Sequence, residues 1–484
     1  MGEVDISYHD QQKYNLLLTN DAIEKIGMGK YQWQMCFTCG FGFIVDQILL
    51  ISIALVMPQA SKEFVVDYPK MASVAQYTGL LLGAIFTGLF ADLFGRSLVW
   101  QVSIFGVAIW TTICAAAPNF PALAVFIGLM GFFAGGNLAI DLTLFNEILP
   151  RGKSWLMTLL AVMWGLGNAV EALIGWLLIT NYSCPSTATP STCSRSENMG
   201  WRYLYITSGL LCLVMAAIRV FVLKIEESPK WLVANGKFEA ATISINRIAL
   251  LNRSDFVIFA NQFQSINVVE SKKLSWNFSH VKGLFKGKER FRSTVGIFFL
   301  WMCIGVAYPV YTVFLAYYLQ AHGANLGDGS TYQTYRDLVI SSVVGIFGPA
   351  LAAWLIEINV LGRRRSMAIM ALVTAAFAGA FTSVKSESQN LVFSCMINFW
   401  QNGFYSILYA YTPEVMPTAH RGTGCGLAMA MGRAASLSAP FIATFGDASS
   451  SVPIWVCMAL YVVMAVVALL LPYEPKYFGQ EWSE

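Results

Sequence analysis

The stretch Gly88-Leu-Phe-Ala-Asp92-Leu-Phe-Gly95-Arg96-Ser97 is the most informative part of this chain, because it forms a short polar break between two long apolar runs. Gly88 has no side chain, so a neighbouring helix can pack closely against it. Gly95 permits a tight turn, and Arg96 holds the start of the next helix at a membrane surface. The spacing G-x-x-x-D-x-x-G-R therefore predicts a charged connection between two membrane helices.

The composition predicts a polytopic membrane protein. Of its 484 residues, 56% are hydrophobic and 12% are charged, about half of the charged fraction usual in soluble domains. The mean hydropathy is +0.57. Residues 1–32 are polar and contain no cleavable signal peptide, so we expect the first apolar segment to direct insertion.

Twelve apolar segments have a length of about 17–25 residues, which suffices to span a bilayer. They lie near 33–57, 73–91, 97–117, 121–143, 154–180, 200–222, 294–320, 337–356, 366–384, 391–412, 422–446 and 452–472. The predicted organisation is a cytoplasmic N-terminus (1–32), a six-helix bundle (33–222), a linker with short helices (223–293), a second six-helix bundle (294–472) and a cytoplasmic C-terminus (473–484).

The basic residues predict the orientation. With the N-terminus in the cytoplasm, 23 Lys and Arg residues fall on the cytoplasmic side and 6 on the opposite side. Without the long linker the short loops still favour this orientation by 11 to 6. We expect both termini in the cytoplasm and the chain in the plasma membrane. The linker's basic residues suit contact with anionic lipid headgroups rather than nucleic acid.

Two loop motifs recur in the second half of the chain. Glu147-Ile-Leu-Pro150-Arg151-Gly152 is echoed by Glu414-Val-Met-Pro417 followed by Arg421, and Asp92…Gly95-Arg96 is echoed by Glu357…Gly362-Arg363. Similar offsets for two unrelated motifs indicate two six-helix halves in the same orientation. We predict that these charges form a cytoplasmic gate, whose residues are Gly88, Asp92, Gly95, Arg96, Glu147, Arg151, Glu357, Arg363, Glu414 and Arg421.

Ten cysteines are present, and eight of them lie in apolar segments, where a cysteine is usually a small hydrophobe. Cys184 and Cys193 lie in a predicted extracellular loop, so we predict a disulfide between them. Asn181-Tyr-Ser183 is a glycosylation sequon on the same side. The sequons at Asn252 and Asn277 fall in the linker and should stay unmodified. No metal cluster is expected.

Polar residues inside apolar spans are candidate functional residues, because a charge at a helix centre costs about 2.5–3.5 kcal/mol on translocon scales. Asp46, Glu171 and Asp141 are candidates to carry a coupled proton; structural hydrogen bonds or ion pairs are the alternative for each. A polar face runs along the tenth segment. The predicted substrate-binding residues are Asn137, Asn398, Asn402, Tyr405, Tyr308 and Arg433, with an ion pair to an acid as the alternative for Arg433.

The motif at Gly88–Ser97 resembles the signature loop of the major facilitator superfamily of transporters, although Ser97 stands where that signature ends in a basic residue. Glu227-Ser-Pro-Lys-Trp-Leu232 resembles a sugar-porter motif, while Trp301–Tyr311 lacks the Q-Q-x-S-G sugar-binding motif. The patterns Cys39–Asp46, Gly135–Asp141 and Tyr411–Gly424 are similar to the branch related to synaptic vesicle protein two, which includes transporters of niacin-like organic acids. The resemblance implies a twelve-helix all-α bundle, a central site, alternating access and proton coupling.

These observations together predict a monomeric, proton-coupled secondary transporter of a small polar organic molecule, with an organic anion favoured because Arg433 could balance a carboxylate. Sugar or polyol uptake, export of a metabolite or toxin, and a non-transporting nutrient receptor are the alternatives. A receptor would usually carry a longer cytoplasmic tail than residues 473–484. No nucleophile–base pair, metal cluster or phosphate loop points to an enzyme, and no cofactor is expected besides the proton as coupling ion.

Overall fold

The computed structural model describes residues 8–66, 68, 71–150, 152–185, 188–223, 225–264, 283–321, 331–417, 420–445 and 452–475. Within them, twelve predicted spans correspond to fifteen helices. In the first half these are α2 (Lys30–Ala60), α3 (Ala72–Phe94), α4 (Arg96–Cys114), α5 (Phe120–Gly135) with α6 (Asn137–Ile148), α7 (Trp155–Leu160) with α8 (Val162–Tyr182), and α9 (Gly200–Ala217). In the second half they are α12 (Lys288–Ala321), α13 (Thr331–Leu355), α14 (Gly362–Ala380), α15 (Glu387–Val415), α16 (Arg421–Ser436) with α17 (Ser438–Phe445), and α18 (Val452–Leu470).

The prediction of an all-α membrane protein with twelve spans is confirmed. Eleven spans in the described residues are long and apolar enough to cross a membrane. The remaining span, the tenth along the chain, is α15. It has 29 residues and is therefore long enough to cross a membrane at a rise of 1.5 Å per residue. Polar residues along α15, including Asn398 and Asn402, account for its lower hydropathy.

Three spans of the first half are irregular, and in the second half the eleventh span breaks at Leu437, between α16 and α17. The fourth breaks at Gly136, where a Cβ atom would lie 1.3 Å from the Thr87 hydroxyl oxygen, so α3 packs directly against the break. The fifth breaks at Ala161, between α7 and α8. The sixth ends in a π-helical turn, Ile218–Val222, which contains the buried Arg219. Such turns are frequent at functional sites.

The two halves meet where small residues let helix backbones approach each other. A Cβ on Gly88 of α3 would lie 3.3 Å from the Gly422 carbonyl oxygen of α16, and one on Gly426 would lie 2.8 Å from the Ala84 carbonyl oxygen. On the other side of the bundle, a Cβ on Gly165 of α8 would lie 2.4 Å from Ile346 of α13. The helix packing predicted from Gly88 is therefore present at the interface between the halves.

We call the end of the bundle that holds the linker and both described termini the inner end. Its N-terminal helix α1 (Tyr8–Ile26) packs on the linker helices α10 (Pro229–Ala234) and α11 (Phe238–Leu251). The Asn15 amide is hydrogen-bonded in both directions to the Gln264 backbone, at 2.9 and 2.8 Å. Asn252 accepts from the Tyr31 amide at 2.9 Å, which fastens the linker to the start of α2.

At the opposite, outer end, a disulfide joins Cys184 and Cys193, whose Cα atoms are 6.1 Å apart. The loop that it closes is held to the end of α2, because Lys62 Nζ donates to the Cys184 carbonyl oxygen at 2.9 Å and Asn198 donates to the Gln59 carbonyl oxygen at 2.9 Å. Asn181 is exposed in the last turn of α8. Asn277 lies outside the described residues.

Candidate functional site

A cavity lies at the centre of the bundle, between the two halves. The first half contributes α2, α3 and α8, and the second half contributes α12, α15 and α16. Its walls combine charged, amide, hydroxyl and aromatic side chains: Asp46, Gln47, Leu50, Tyr77, Trp164, Tyr308, Pro309, Asn402, Tyr405, Tyr409, Arg433 and Ser436.

An ion pair crosses this cavity from one half to the other. Arg433 Nη2 donates to Asp46 Oδ1 at 3.2 Å, and both side chains are largely buried. Glycines place the arginine, because a Cβ on Gly305 of α12 would lie 2.2 Å from the Gly432 carbonyl oxygen of α16. Ser436 Oγ, one turn further along α16, donates to the Gly305 carbonyl oxygen at 2.9 Å.

Aromatic rings close the cavity toward the inner end. The Trp164 ring lies 4.7 Å from that of Tyr409 and 5.1 Å from that of Phe43, between ring centroids. The Trp301 ring lies 4.5 Å from the Tyr409 ring on its other side. Two of these rings belong to the first half and two to the second, so the halves are in contact below the ion pair.

The cavity has a volume of about 40 Å³. This volume suits a few water molecules, because one water needs about 10–15 Å³ of such space. Sites for organic ligands usually measure about 300–1,000 Å³. In this conformation the cavity is therefore too small to hold an organic ligand.

The cavity brings together most of the predicted substrate residues. Asn402, Tyr405, Tyr308 and Arg433 line it, as does the predicted proton carrier Asp46. Asn398 lies outside it, where its amide donates to Ser341 Oγ of α13 at 2.8 Å.

Asn137 and Asp141 lie in a separate buried cluster of the first half. Arg219 Nη1 donates to Asn137 Oδ1 and its Nη2 to Asp141 Oδ1, both at 3.0 Å. The Arg219 guanidinium lies 3.9 Å from the ring centroid of Trp100, whose indole N–H donates to Asp141. The structure thus gives Asn137 and Asp141 a partner that the sequence analysis did not assign, and neither residue lines the cavity.

Glu171, the third predicted proton carrier, is fully buried among α2, α8 and α9. It also lies outside the lining of the cavity.

Residues predicted to form the gate in the first half lie together at the inner end. Arg96 pairs with Glu147, whose side chain is fully buried. Glu147 also accepts from Ser228 Oγ of the linker and lies 3.8 Å from Arg421 Nη1 of the second half. Gly95 adopts φ +109°, a conformation that favours glycine, and this is the tight turn predicted there. The Asp92 side chain and Arg151 lie outside the described part of the chain.

The second half repeats this arrangement. Arg363 Nε and Nη2 donate to the two carboxylate oxygens of Glu414 at 3.0 and 3.1 Å. The Arg363 guanidinium also donates to Ser154 of the first half. Glu357 is exposed in the turn after α13, close to this pair. The cross-half contacts at Glu147 and Ser154 close the inner end.

Sequence reasoning missed several site residues, among them Tyr77, Trp164 and Arg219. Trp164 and Tyr77 line the cavity but lie in apolar segments, where aromatic residues are common, so no local signal distinguishes them. Arg219 did carry a signal, since it is an arginine deep inside an apolar segment. Its buried partners lie on other helices, so the sequence alone could not name them.

Comparison with known proteins identifies related chains. The family profile described as Major Facilitator Superfamily matches residues 36–359. A protein named MFS siderochrome iron transporter 1, from Ceriporiopsis subvermispora, is 37% identical over 98% of this chain and 92% of its own length. The niacin transporter NiaP of Acinetobacter baylyi is 27% identical over 93% of this chain and 95% of its own length.

The resemblance to the branch of synaptic vesicle protein two is confirmed, since synaptic vesicle 2-related proteins are among the relatives. Among solved structures, the proton:xylose symporter XylE bound to 6-bromo-6-deoxy-D-glucose superposes with a TM-score of 0.70 at 17% identity. That match covers 94% of this chain and 98% of the other, and it supports the fold.

Proposed function

Because the chain belongs to the major facilitator superfamily and its relatives include proteins named as transporters of small solutes, we propose that it moves a small organic anion together with a proton. The observation that carries the proposal is the Asp46–Arg433 pair in the central cavity. The pair joins a proton-accepting group to an anion-binding group at the point where the halves meet.

Charge balance explains why the two species would travel together. With Asp46 ionised and Arg433 charged, the empty pair is neutral. A carboxylate that binds Arg433 displaces Asp46 and leaves one uncompensated negative charge in a buried site, which is costly. A proton on Asp46 removes that charge, so anion and proton each favour the binding of the other.

The remaining cavity residues suit the rest of such a substrate. Asn402 and Gln47 can hydrogen-bond polar substituents, and the Trp164, Tyr405 and Tyr409 rings offer faces for stacking or apolar contact. The Arg433 guanidinium can bind a carboxylate with two parallel hydrogen bonds. The niacin transporter among the relatives is named for an organic acid, which supports this substrate class.

Alternating access follows from the positions of the contacts. Opening the inner end separates Arg421 from Glu147 and Arg363 from Ser154, and it parts Trp164 from Tyr409. In the proposed orientation the inner end faces the cytoplasm and the disulfide loop faces outside, as the basic residues of the loops favour. The chain would act as a monomer in the plasma membrane, with the proton as the coupling ion and no cofactor.

The test is uptake into proteoliposomes of radiolabelled organic acids, hexoses and polyols, with and without an imposed pH gradient. We expect accumulation of an organic anion driven by the gradient in the wild type. Asp46→Asn should still exchange substrate but should not accumulate it. Accumulation by Asp46→Asn, or uptake of a sugar but of no acid, would overturn the proposal. Outward-directed accumulation would indicate an exporter. If no compound is transported, the alternative of a non-transporting receptor is favoured.

A further inference from the structure

Glu171 is a buried acid that the proposed transport cycle does not use. It lies on α8, its residue is 0% exposed, and it contacts one serine on each of two other helices. Ser52 Oγ of α2 lies 2.7 Å from Glu171 Oε1. Ser208 Oγ of α9 lies 2.8 Å from Oε2 and 3.0 Å from Oε1.

Each of these serines also contacts a carbonyl oxygen of its own helix. Ser52 Oγ is within hydrogen-bond distance of the Ile48 carbonyl oxygen, and Ser208 Oγ lies 2.8 Å from the Leu204 carbonyl oxygen. The cluster thus contains five close oxygen–oxygen contacts. A serine hydroxyl has one proton, so the two serines supply two.

A third proton, carried by Glu171 itself, brings the number of hydrogen-bond donors in this cluster closer to the number of oxygen–oxygen contacts. With Oε2–H donating to Ser208 Oγ, the Ser208 hydroxyl can donate to the Leu204 carbonyl oxygen and the Ser52 hydroxyl to Oε1. Without that proton, a carboxylate and a backbone carbonyl compete for each hydroxyl. The contacts therefore fit a carboxylic acid better than a carboxylate.

The absence of a counter-charge supports the same assignment. Three other buried acids of the first half pair with arginine: Asp46 with Arg433, Asp141 with Arg219 and Glu147 with Arg96. Among the residues that the structure describes, no basic side chain pairs with Glu171. An ionised carboxylate buried without a cation is far more costly than a neutral acid.

We propose that Glu171 is a neutral carboxylic acid that keeps its proton through the whole transport cycle. It is a positioning residue: it fastens α2, which carries Asp46 six residues before Ser52, to α8 and α9. The coupling part of this inference rests on the proposed function, in which Asp46 carries the proton that moves. It follows that, of these two buried acids, only Asp46 binds and releases a proton during the transport cycle.

Infrared spectroscopy of the purified full chain in lipid tests the protonation state directly. The difference spectrum between wild type and Glu171→Gln should show loss of a carboxylic-acid carbonyl band at neutral pH, and that band should stay when the buffer is made moderately alkaline. Loss of a carboxylate band instead would overturn the proposal.

Transport measurements test the positioning role. Glu171→Gln should keep both exchange and pH-driven accumulation, because its amide can donate to Ser208 and accept from Ser52. Glu171→Leu fills the space without hydrogen bonds, so it should lose folded protein or both activities together. If Glu171→Gln exchanges substrate but cannot accumulate it, Glu171 carries the moving proton and the proposal is wrong.

The two readouts separate this inference from the proposed function. If Asp46→Asn still accumulates substrate while the acid band of Glu171 is present, the coupling assignment of Asp46 fails and the neutral Glu171 stands. If the acid band is absent while Asp46→Asn exchanges substrate without accumulating it, the neutral Glu171 fails and the coupling assignment of Asp46 stands.

Discussion

Glu227 and Glu474 occupy equivalent places in the two halves of the bundle. Glu227 accepts the backbone N–H groups of Arg96 and Ser97 at 3.1 and 3.0 Å, where α4 begins. Glu474 accepts those of Arg363 and Arg364 at 2.8 and 3.1 Å, at the beginning of α14. Each carboxylate therefore satisfies N–H groups that a helix start leaves without partners.

This equivalence predicts equal effects for Glu227→Gln and Glu474→Gln. An amide keeps one acceptor oxygen but loses the charge, so each variant should lose about 0.3–1 kcal/mol of stabilisation at its helix start. Transport rates should change in the same direction, with little loss of folded protein. Asp255→Asn, at an exposed position of the linker outside any helix, is the control. A changed rate in one variant and not in the other would contradict the equivalence.

The tenth span offers a matched pair of variants for substrate binding. Asn402 lines the cavity, whereas Asn398 bonds to Ser341. Asn402→Ala should raise KM in both exchange and accumulation by up to about tenfold, since a hydrogen bond contributes about 0.5–1.5 kcal/mol. Asn398→Ala should lower the melting temperature and leave KM unchanged. Equal effects of both variants on KM would show that the cavity is not the binding site.

The disulfide should stabilise the outer end. Cys184 and Cys193 are nine residues apart, and closing such a loop contributes about 2–3 kcal/mol in the chain-entropy account. Cys184→Ser with Cys193→Ser should lower the melting temperature, and reductant should then have no further effect. Labelling of both cysteines by a thiol reagent in the unreduced wild type would show that the bond is absent.

Asn181 should carry a glycan if the outer end faces a secretory lumen or the cell exterior. A glycosidase should shift the wild type on a gel, and Asn181→Gln should abolish that shift. Asn277→Gln serves as the control, because its sequon is predicted on the opposite side. A shift that survives Asn181→Gln would move the glycan, and with it the orientation.

Acidification should weaken one ion pair at the outer end. Burial raises the pKa of Glu63, but hydrogen bonds from Arg202, at 2.7 and 2.8 Å, and from Trp201 hold that pKa below its ordinary value. A lowered pKa means that the pair's stabilisation is complete above about pH 4.3, the ordinary value for glutamate, and is lost as the pH falls through the lowered value.

Glu63→Gln should therefore unfold at a lower temperature than wild type at neutral pH, and the difference should shrink in strong acid. Thermal unfolding followed across the acid range would measure it. A difference that grows on acidification would contradict the lowered pKa.

The fold could be predicted from the sequence because its cause is local. The length and hydropathy of each segment are sufficient to predict a membrane helix, and the two repeated motifs are sufficient to predict two similar halves. Even α15, which falls below the hydropathy of the other spans, was predicted as the apolar segment 391–412.

The site could be predicted less completely, for a geometric reason. The spacing of Asn137 and Asp141 shows that they share a helix face, but not whether that face meets the cavity or another helix. In the structure this face contacts Arg219. The position of Arg219 depends on a π-helical turn that has no marker in the sequence. Asp46 and Arg433 are 387 residues apart in the chain, so their pairing depends on how the halves pack.

The double attachment of Glu147 bears on the speed of the carrier. Arg96 lies on a neighbouring helix of the same half, whereas Arg421 belongs to the other half and lies at 3.8 Å. In the proposed cycle, Glu147 keeps its ion pair with Arg96 when the halves separate. Reorientation would then break only the longer contact, with Arg421, and Glu147 would not become a buried charge without a partner, so we expect a lower electrostatic barrier to each turnover.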